Sequence, residues 1–197
     1  MVDADSSPGD FTVLLHRWRD GDESARDTLM ELAYEQLHTL ARRFLGTERQ
    51  GHTLQPTELV NEAFLRLAGS NPSLKDRIHF FAVAANVTRR VLVDHARARN
   101  RDKRGGGAVP VALDETMAIT EESFSRMVEI DAALDRLTAI DERKARLVEL
   151  VFFGGLTKDE TAEATGLSPA TVFRELKFAK AWLAKELQRD GAGPAKS

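Results

Sequence analysis

A chain of 197 residues, 42% of them hydrophobic, has room for one or two domains that each bury a core. Its formal charge of -3 argues against a protein that neutralises phosphates unaided, and the absence of cysteine excludes disulfides and any cysteine metal site. No apolar run is long enough to span a bilayer, and the opening MVDADSSPGD is acidic and polar rather than basic then apolar, so a cytoplasmic protein without membrane insertion is expected.

From Phe11 to Leu45 the apolar positions Val13, Leu14, Trp18, Leu29, Leu32, Leu37, Leu40 and Phe44 recur at helical period, broken by the turn-like stretch Asp20 to Ser24. Two helices follow from that pattern. Pro56 to Ala68 predicts a third, whose Leu59, Val60, Ala63, Phe64 and Leu67 form one broad core face opposite Glu58, Asn61, Glu62 and Leu65. Ile78 to about Ala98 predicts a fourth, opening on His79, Phe80 and Phe81 and stopped by Gly105, Gly106 and Gly107.

Charge is unevenly placed. Arg89, Arg90, Arg97, Arg99, Arg101, Lys103 and Arg104 make a cationic block, and Asp114, Glu115, Glu121, Glu122, Glu129, Asp131 and Asp135 make the next segment acidic. Between them the glycines and small residues read as a flexible tether, and a second helical unit runs from about Met127 to Gln188 before a frayed tail from Asp190. No strand alternation and no internal repeat is present, so the fold class is all-α, with two small helical domains.

The second unit ends in LTKDETAEATGLSPATVFRELKFAKAWL, from Leu156 to Leu183. Thr157 and Glu160 have the spacing of a capping box, Gly166 marks the end of that short helix, and Ser168 and Pro169 suit the N-cap and first turn of another. The result is a helix-turn-helix. On the second helix Val172, Leu176, Ala179 and Leu183 share an inward stripe, which leaves Ala170, Arg174, Lys177 and Phe178 outward with Thr171 at their edge. Long cations, a small residue and an aromatic suit a major groove, where arginine or lysine reads guanine and apolar groups touch the thymine methyl. An ordinary amphipathic helix with a solvated basic face has the same pattern.

With these segments in order, the chain from Phe11 to Leu187 resembles the extracytoplasmic-function (ECF) sigma factors of the RNA polymerase sigma-70 family. GDESARDTLMELAYEQLHTLARRFLG resembles the opening helices of region 2, ELVNEAFLRL the helix that grips polymerase, and RIHFFAVAANVTRRVLVDHARAR the part that melts and reads the -10 element. ALDRLTAIDERKARLVELVFFGGLTKDETAEATGLSPATVFRELKFAKAWLAKEL resembles region 4, the reader of the -35 element. The resemblance implies region 2 at residues 10–99, a linker at 100–126 and region 4 at 127–189. It further implies a subunit without catalytic activity that directs core RNA polymerase to promoter DNA, touching the clamp helices of the large subunit and the flap. Polymerase would then supply much of the DNA affinity that the chain's own charge does not.

The same resemblance assigns roles. Glu58, Asn61, Glu62 and Leu65 become the polymerase-binding face, an apolar anchor within a polar rim. Asn86, Arg89, Arg90, Arg97 and Arg99 become DNA-binding groups on the melting helix, with the loop from Ser70 to Arg77 able to cradle a flipped base and Arg101, Lys103 and Arg104 bound to phosphate. Many relatives carry a tryptophan near His79 that this chain lacks, so Phe80 and Phe81 are either stacking groups or core. Ala170, Thr171, Arg174, Lys177 and Phe178 become the -35 contacts.

Family members commonly carry acids leading into the third helix, whereas here Gln55, Pro56, Thr57 and Glu58 stand there. Phosphorylation of Thr57 would restore roughly two negative charges at a helix start, where the dipole favours them. Some family members answer to serine/threonine kinases, which makes a kinase, or alternatively an anti-sigma protein, the expected regulatory partner; Thr53 is the neighbouring acceptor.

His16, His38, His52, His79 and His95 have no metal-ligand spacing and no nucleophile has a base beside it, so no enzyme, metal or cofactor is expected. Two other readings fit parts of the pattern. One is a stand-alone helix-turn-helix regulator that binds duplex DNA as a dimer, and the other a helical adaptor with no DNA role.

Overall fold

The computed structural model describes residues 8–45, 55–70, 75–102 and 126–191, and no strand occurs among them. The tether, Thr53, Lys103, Arg104 and residues 71–74 of the loop expected to cradle a base lie outside the described residues, as do the side chains of Arg99 and Arg101.

The first half holds α1 (Pro8–Arg19), α2 (Glu23–Leu45), α3 (Pro56–Ser70) and α4 (Arg77–Asp102). The break between α1 and α2 falls where the turn residues place it. Asp22 accepts from the backbone N–H of Ser24 at 3.0 Å and of Ala25 at 3.1 Å, which caps α2. Its other oxygen takes the Arg17 guanidinium at 2.6 Å. These bonds, the Ser24 hydroxyl foremost, hold the Asp22 carboxyl well below the usual carboxylate range. The helices meet around Phe11, whose ring lies 5.2 Å from Phe80 and 5.5 Å from Phe81. Both phenylalanines of α4 are therefore core, which settles the alternative left open by the sequence. Helix α4 runs four residues beyond the stop expected near Ala98.

The second half holds α5 (Met127–Ile140), α6 (Glu142–Val148), a π-helical turn (Glu149–Phe153), α7 (Lys158–Thr165) and α8 (Pro169–Gly191). Buried Arg126 donates to the Leu187 carbonyl at 2.8 Å and to Glu129 at 2.5 Å, tying the start of α5 to the end of α8. Asp141 caps α6 by accepting from the Lys144 N–H at 3.0 Å. The π-helical turn buries Leu150, Phe152 and Phe153 together.

The two halves share one buried cluster, with α4 lying against α5, the π-helical turn and α7. Contact is close at Gly154, where an added Cβ would sit 2.6 Å from the Leu150 carbonyl oxygen and 3.1 Å from Ala85 Cβ. A glycine there lets the π-helical turn rest directly on α4.

Candidate nucleic-acid interface

The helix-turn-helix is built by the residues that signalled it. The Thr157 hydroxyl accepts from the Glu160 N–H at 3.2 Å while the Glu160 carboxylate accepts from the Thr157 N–H at 2.9 Å, a complete capping box. Gly166 ends α7 with φ of 68°, a left-handed conformation that glycine adopts without a Cβ clash. Ser168 then caps α8, accepting from the Thr171 N–H at 3.2 Å.

On α8 the stripe Val172, Leu176, Ala179 and Leu183 is buried, and Leu187 continues it. Ala170, Arg174, Lys177 and Phe178 are exposed on the opposite side. Arg174 and Lys177 have no ion-pair or hydrogen-bond partner among the described residues, so their charge faces outward uncompensated. Thr171 is half-buried, its hydroxyl 2.9 Å from that of Ser168, and belongs to the cap as much as to the surface. Buried Glu175 anchors the helix from below through Arg143 at 2.8 Å.

Phe173, 53% exposed, was not singled out by the sequence pattern, yet it extends this surface. Lys158 stands 4.7 Å over its ring and Lys144 stands 5.3 Å over Phe178. Two further lysines thus flank the exposed row of α8. A search for exposed aromatics beside that row would have found Phe173.

The cationic helix α4 is less open. Arg90 is exposed, Arg97 is exposed and reaches Asp131 at 3.4 Å, and the Asn86 amide turns back to donate to the Ala82 carbonyl at 3.2 Å. Arg89 is held by the second half. It donates to Asp131 at 2.8 Å, to Glu149 at 2.6 Å and to Asp135 at 2.5 Å, and its side chain is only 13% exposed. Burial disfavours its charge, but the bonds to Asp135 and Glu149 and the field of Asp131 outweigh that and raise its pKa further. Residues expected to line one DNA face of α4 are therefore divided between solvent and an interface within the chain.

On α3 the core face is as expected, with Leu59, Val60, Ala63 and Leu67 buried and Phe64 partly so. Leu65 is 73% exposed, and Thr57, Glu58 and Asn61 are exposed near it. Glu58 reaches back to accept from the Gln55 N–H at 2.8 Å. Glu62 is engaged by Arg66 at 2.6 Å and by His95 at 2.7 Å, and Arg66 also bonds Asp94 at 3.0 Å.

Among the described residues an all-helical fold presents the cations Arg174 and Lys177 outward from a helix-turn-helix, a surface complementary to DNA phosphates and base edges. The model of the family described as ECF sigma factor matches residues 8–189, and the chain belongs to that family of the sigma-70 class. It is an alternative sigma factor, binding core RNA polymerase and promoter DNA, within a family of non-enzymatic initiation factors. No curated protein and no solved structure matches the chain significantly. No helix among the described residues is long and apolar enough to cross a membrane.

Proposed function

We propose that this sigma factor reads the -35 element with Arg174 and Lys177, supported by Ala170, Thr171 and Phe178, and contacts the -10 region with Asn86, Arg89, Arg90, Arg97 and Arg99. In this reading region 2 spans residues 10–99 and region 4 residues 127–189. The outward, unpartnered state of Arg174 and Lys177 carries the reading, because a buried or paired cation has no free donors for a base edge.

The exposed face of α3 is the polymerase surface, with Leu65 as its anchor and Glu58, Asn61 and Glu62 around it. Phosphorylation of Thr57 by a serine/threonine kinase strengthens that contact. Thr57 is exposed, follows the buried Pro56 in the first turn of α3, and has beside it a carboxylate, Glu58, already used to cap the helix. A phosphate there adds charge where the helix dipole stabilises it.

Reconstitution with core polymerase and run-off transcription from a genomic fragment library, with wild type, Thr57→Ala and Thr57→Glu, tests both parts. Specific initiation confined to or increased in the glutamate form supports the switch. Wild-type activity of Thr57→Ala in cells refutes it. A protein that shifts specific duplex DNA alone but never binds polymerase refutes the surface assignments altogether.

A further inference from the structure

Helix α4 has a single acid between Arg77 and Arg101, and that acid stands among the cations. Asn86, Arg90 and Arg97 recur at helical spacing, and Asp94 lies four residues after Arg90 and three before Arg97, on the same face. A carboxylate at that spacing is within reach of either arginine, and an arginine paired with it has fewer donors for a phosphate. Asp94 nonetheless pairs with neither. Arg90 is exposed with no hydrogen-bond or ion-pair partner among the described residues, and exposed Arg97 reaches Asp131 instead, at 3.4 Å.

The reason comes from α3. Arg66 donates to Asp94 Oδ2 through both Nη1 and Nη2, each at 3.0 Å, and Nη2 also meets Glu62 Oε1 at 2.6 Å. Glu62 sits one turn before Arg66 and is steadied from α4, because His95 Nε2 lies 2.7 Å from its other oxygen. The guanidinium is thus fixed between two carboxylates, one on each helix. Arg66 and Asp94 are 38% and 52% exposed, so their pairing contributes little to stability. Its effect lies in where it holds the charge of Asp94. Uncovered, that carboxylate would act twice against DNA, by capturing a neighbouring arginine and by repelling phosphate.

We propose that Arg66 is a positioning residue for the DNA face of α4: it holds Asp94 off Arg90 and Arg97 and so leaves both cations free for promoter phosphate. The inference rests on the reading of Arg90 and Arg97 as DNA contacts. Arg66 itself needs no contact with DNA. Because Glu62 belongs to the α3 face proposed for polymerase, the polymerase side and the DNA side of this half share one arginine.

The test uses holoenzyme reconstituted from the full chain and core polymerase. Its affinity for a promoter selected with wild-type holoenzyme is measured from about 50 to about 200 mM salt, a range over which phosphate contacts are read from the slope. Polymerase affinity is measured separately for each variant. Arg66→Gln uncovers Asp94 and should cost one phosphate contact without changing polymerase affinity. The salt slope should fall by about 0.7 to 0.9, so that the deficit at low salt shrinks about threefold across the range. Adding Asp94→Asn to Arg66→Gln removes the uncovered acid and should restore the wild-type slope. Adding Glu31→Gln instead, at an exposed position of α2, gives the same net charge but leaves Asp94 uncovered, and should restore nothing.

Rescue by Asp94→Asn and not by Glu31→Gln is the signature of Arg66 acting through Asp94. A deficit that persists with Asp94→Asn would overturn the proposal, because Arg66 would then hold phosphate itself. Equal rescue by Glu31→Gln would overturn it in favour of overall charge, and a loss of polymerase affinity in Arg66→Gln would move Arg66 to the polymerase surface. Arg90→Ala and Arg97→Ala separate these failures from that of the wider reading. If both keep the wild-type slope, the α4 row does not touch phosphate and the -10 assignment falls with the proposal. If either lowers the slope while Arg66→Gln does not, the DNA contacts stand and the role of Arg66 alone is refuted.

Discussion

Truncating Arg174 tests the proposed -35 contact while leaving every ion pair of the fold in place. The side chain is exposed on α8 and has no hydrogen-bond or ion-pair partner among the described residues, so Arg174→Ala removes none of these and should change stability by no more than about 0.5 kcal/mol. A bidentate contact to a base contributes about 1 to 3 kcal/mol of discrimination, equivalent to about 5- to 150-fold. Promoters would first be selected with wild-type holoenzyme, then transcribed by both proteins from templates with intact and scrambled -35 elements. The variant should lose about 5- to 150-fold on intact templates and much less on scrambled ones, with polymerase binding unchanged. Equal losses on both templates would mean that Arg174 holds phosphate without reading sequence. A loss of polymerase binding would mean that the outward row of α8 faces protein, and the assignment would fail.

Gly154→Ala should destabilise the chain by about 1 to 3 kcal/mol in urea unfolding, because the new methyl meets the Leu150 carbonyl and Ala85 with no room to relax; an unchanged midpoint would show that the seam is loose. Glu160→Gln should destabilise the chain at neutral pH and lose that effect in acid. Burial works to raise the Glu160 pKa, but the Thr157 N–H and Arg77 outweigh it and hold the folded value below the ordinary 4.5. The stabilisation is therefore full above pH 4.5 and disappears as pH falls through the depressed folded value, so the two unfolding curves should converge there; a gap that persists in acid would exclude the linkage.

Local rules were legible in the sequence because their partners are neighbours. Thr157 and Glu160 are one helical turn apart, Ser168 and Thr171 likewise, and the buried stripe of α8 is fixed by period alone. The π-helical turn was not legible, since ELVFFGGL also fits the end of a plain helix and the approach of Gly154 to Ala85 joins residues far apart in the chain. Arg89 was assigned to the DNA face by the family resemblance and its place in a cationic block, and its partners Asp131, Asp135 and Glu149 lie 42, 46 and 60 residues away. One signal was nevertheless present: Arg89 falls at helical spacing with Ala85, Leu92 and Ala96, all buried, so it sits on the inward stripe of α4.

That position bears on why the net charge is so unassuming. An arginine on an apolar stripe is costly to bury unless carboxylates surround it, and the same carboxylates cancel the field that would draw the chain to DNA. Asp131 and Asp135 therefore have a dual effect, satisfying Arg89 at the seam between the halves and lowering non-specific attraction to nucleic acid.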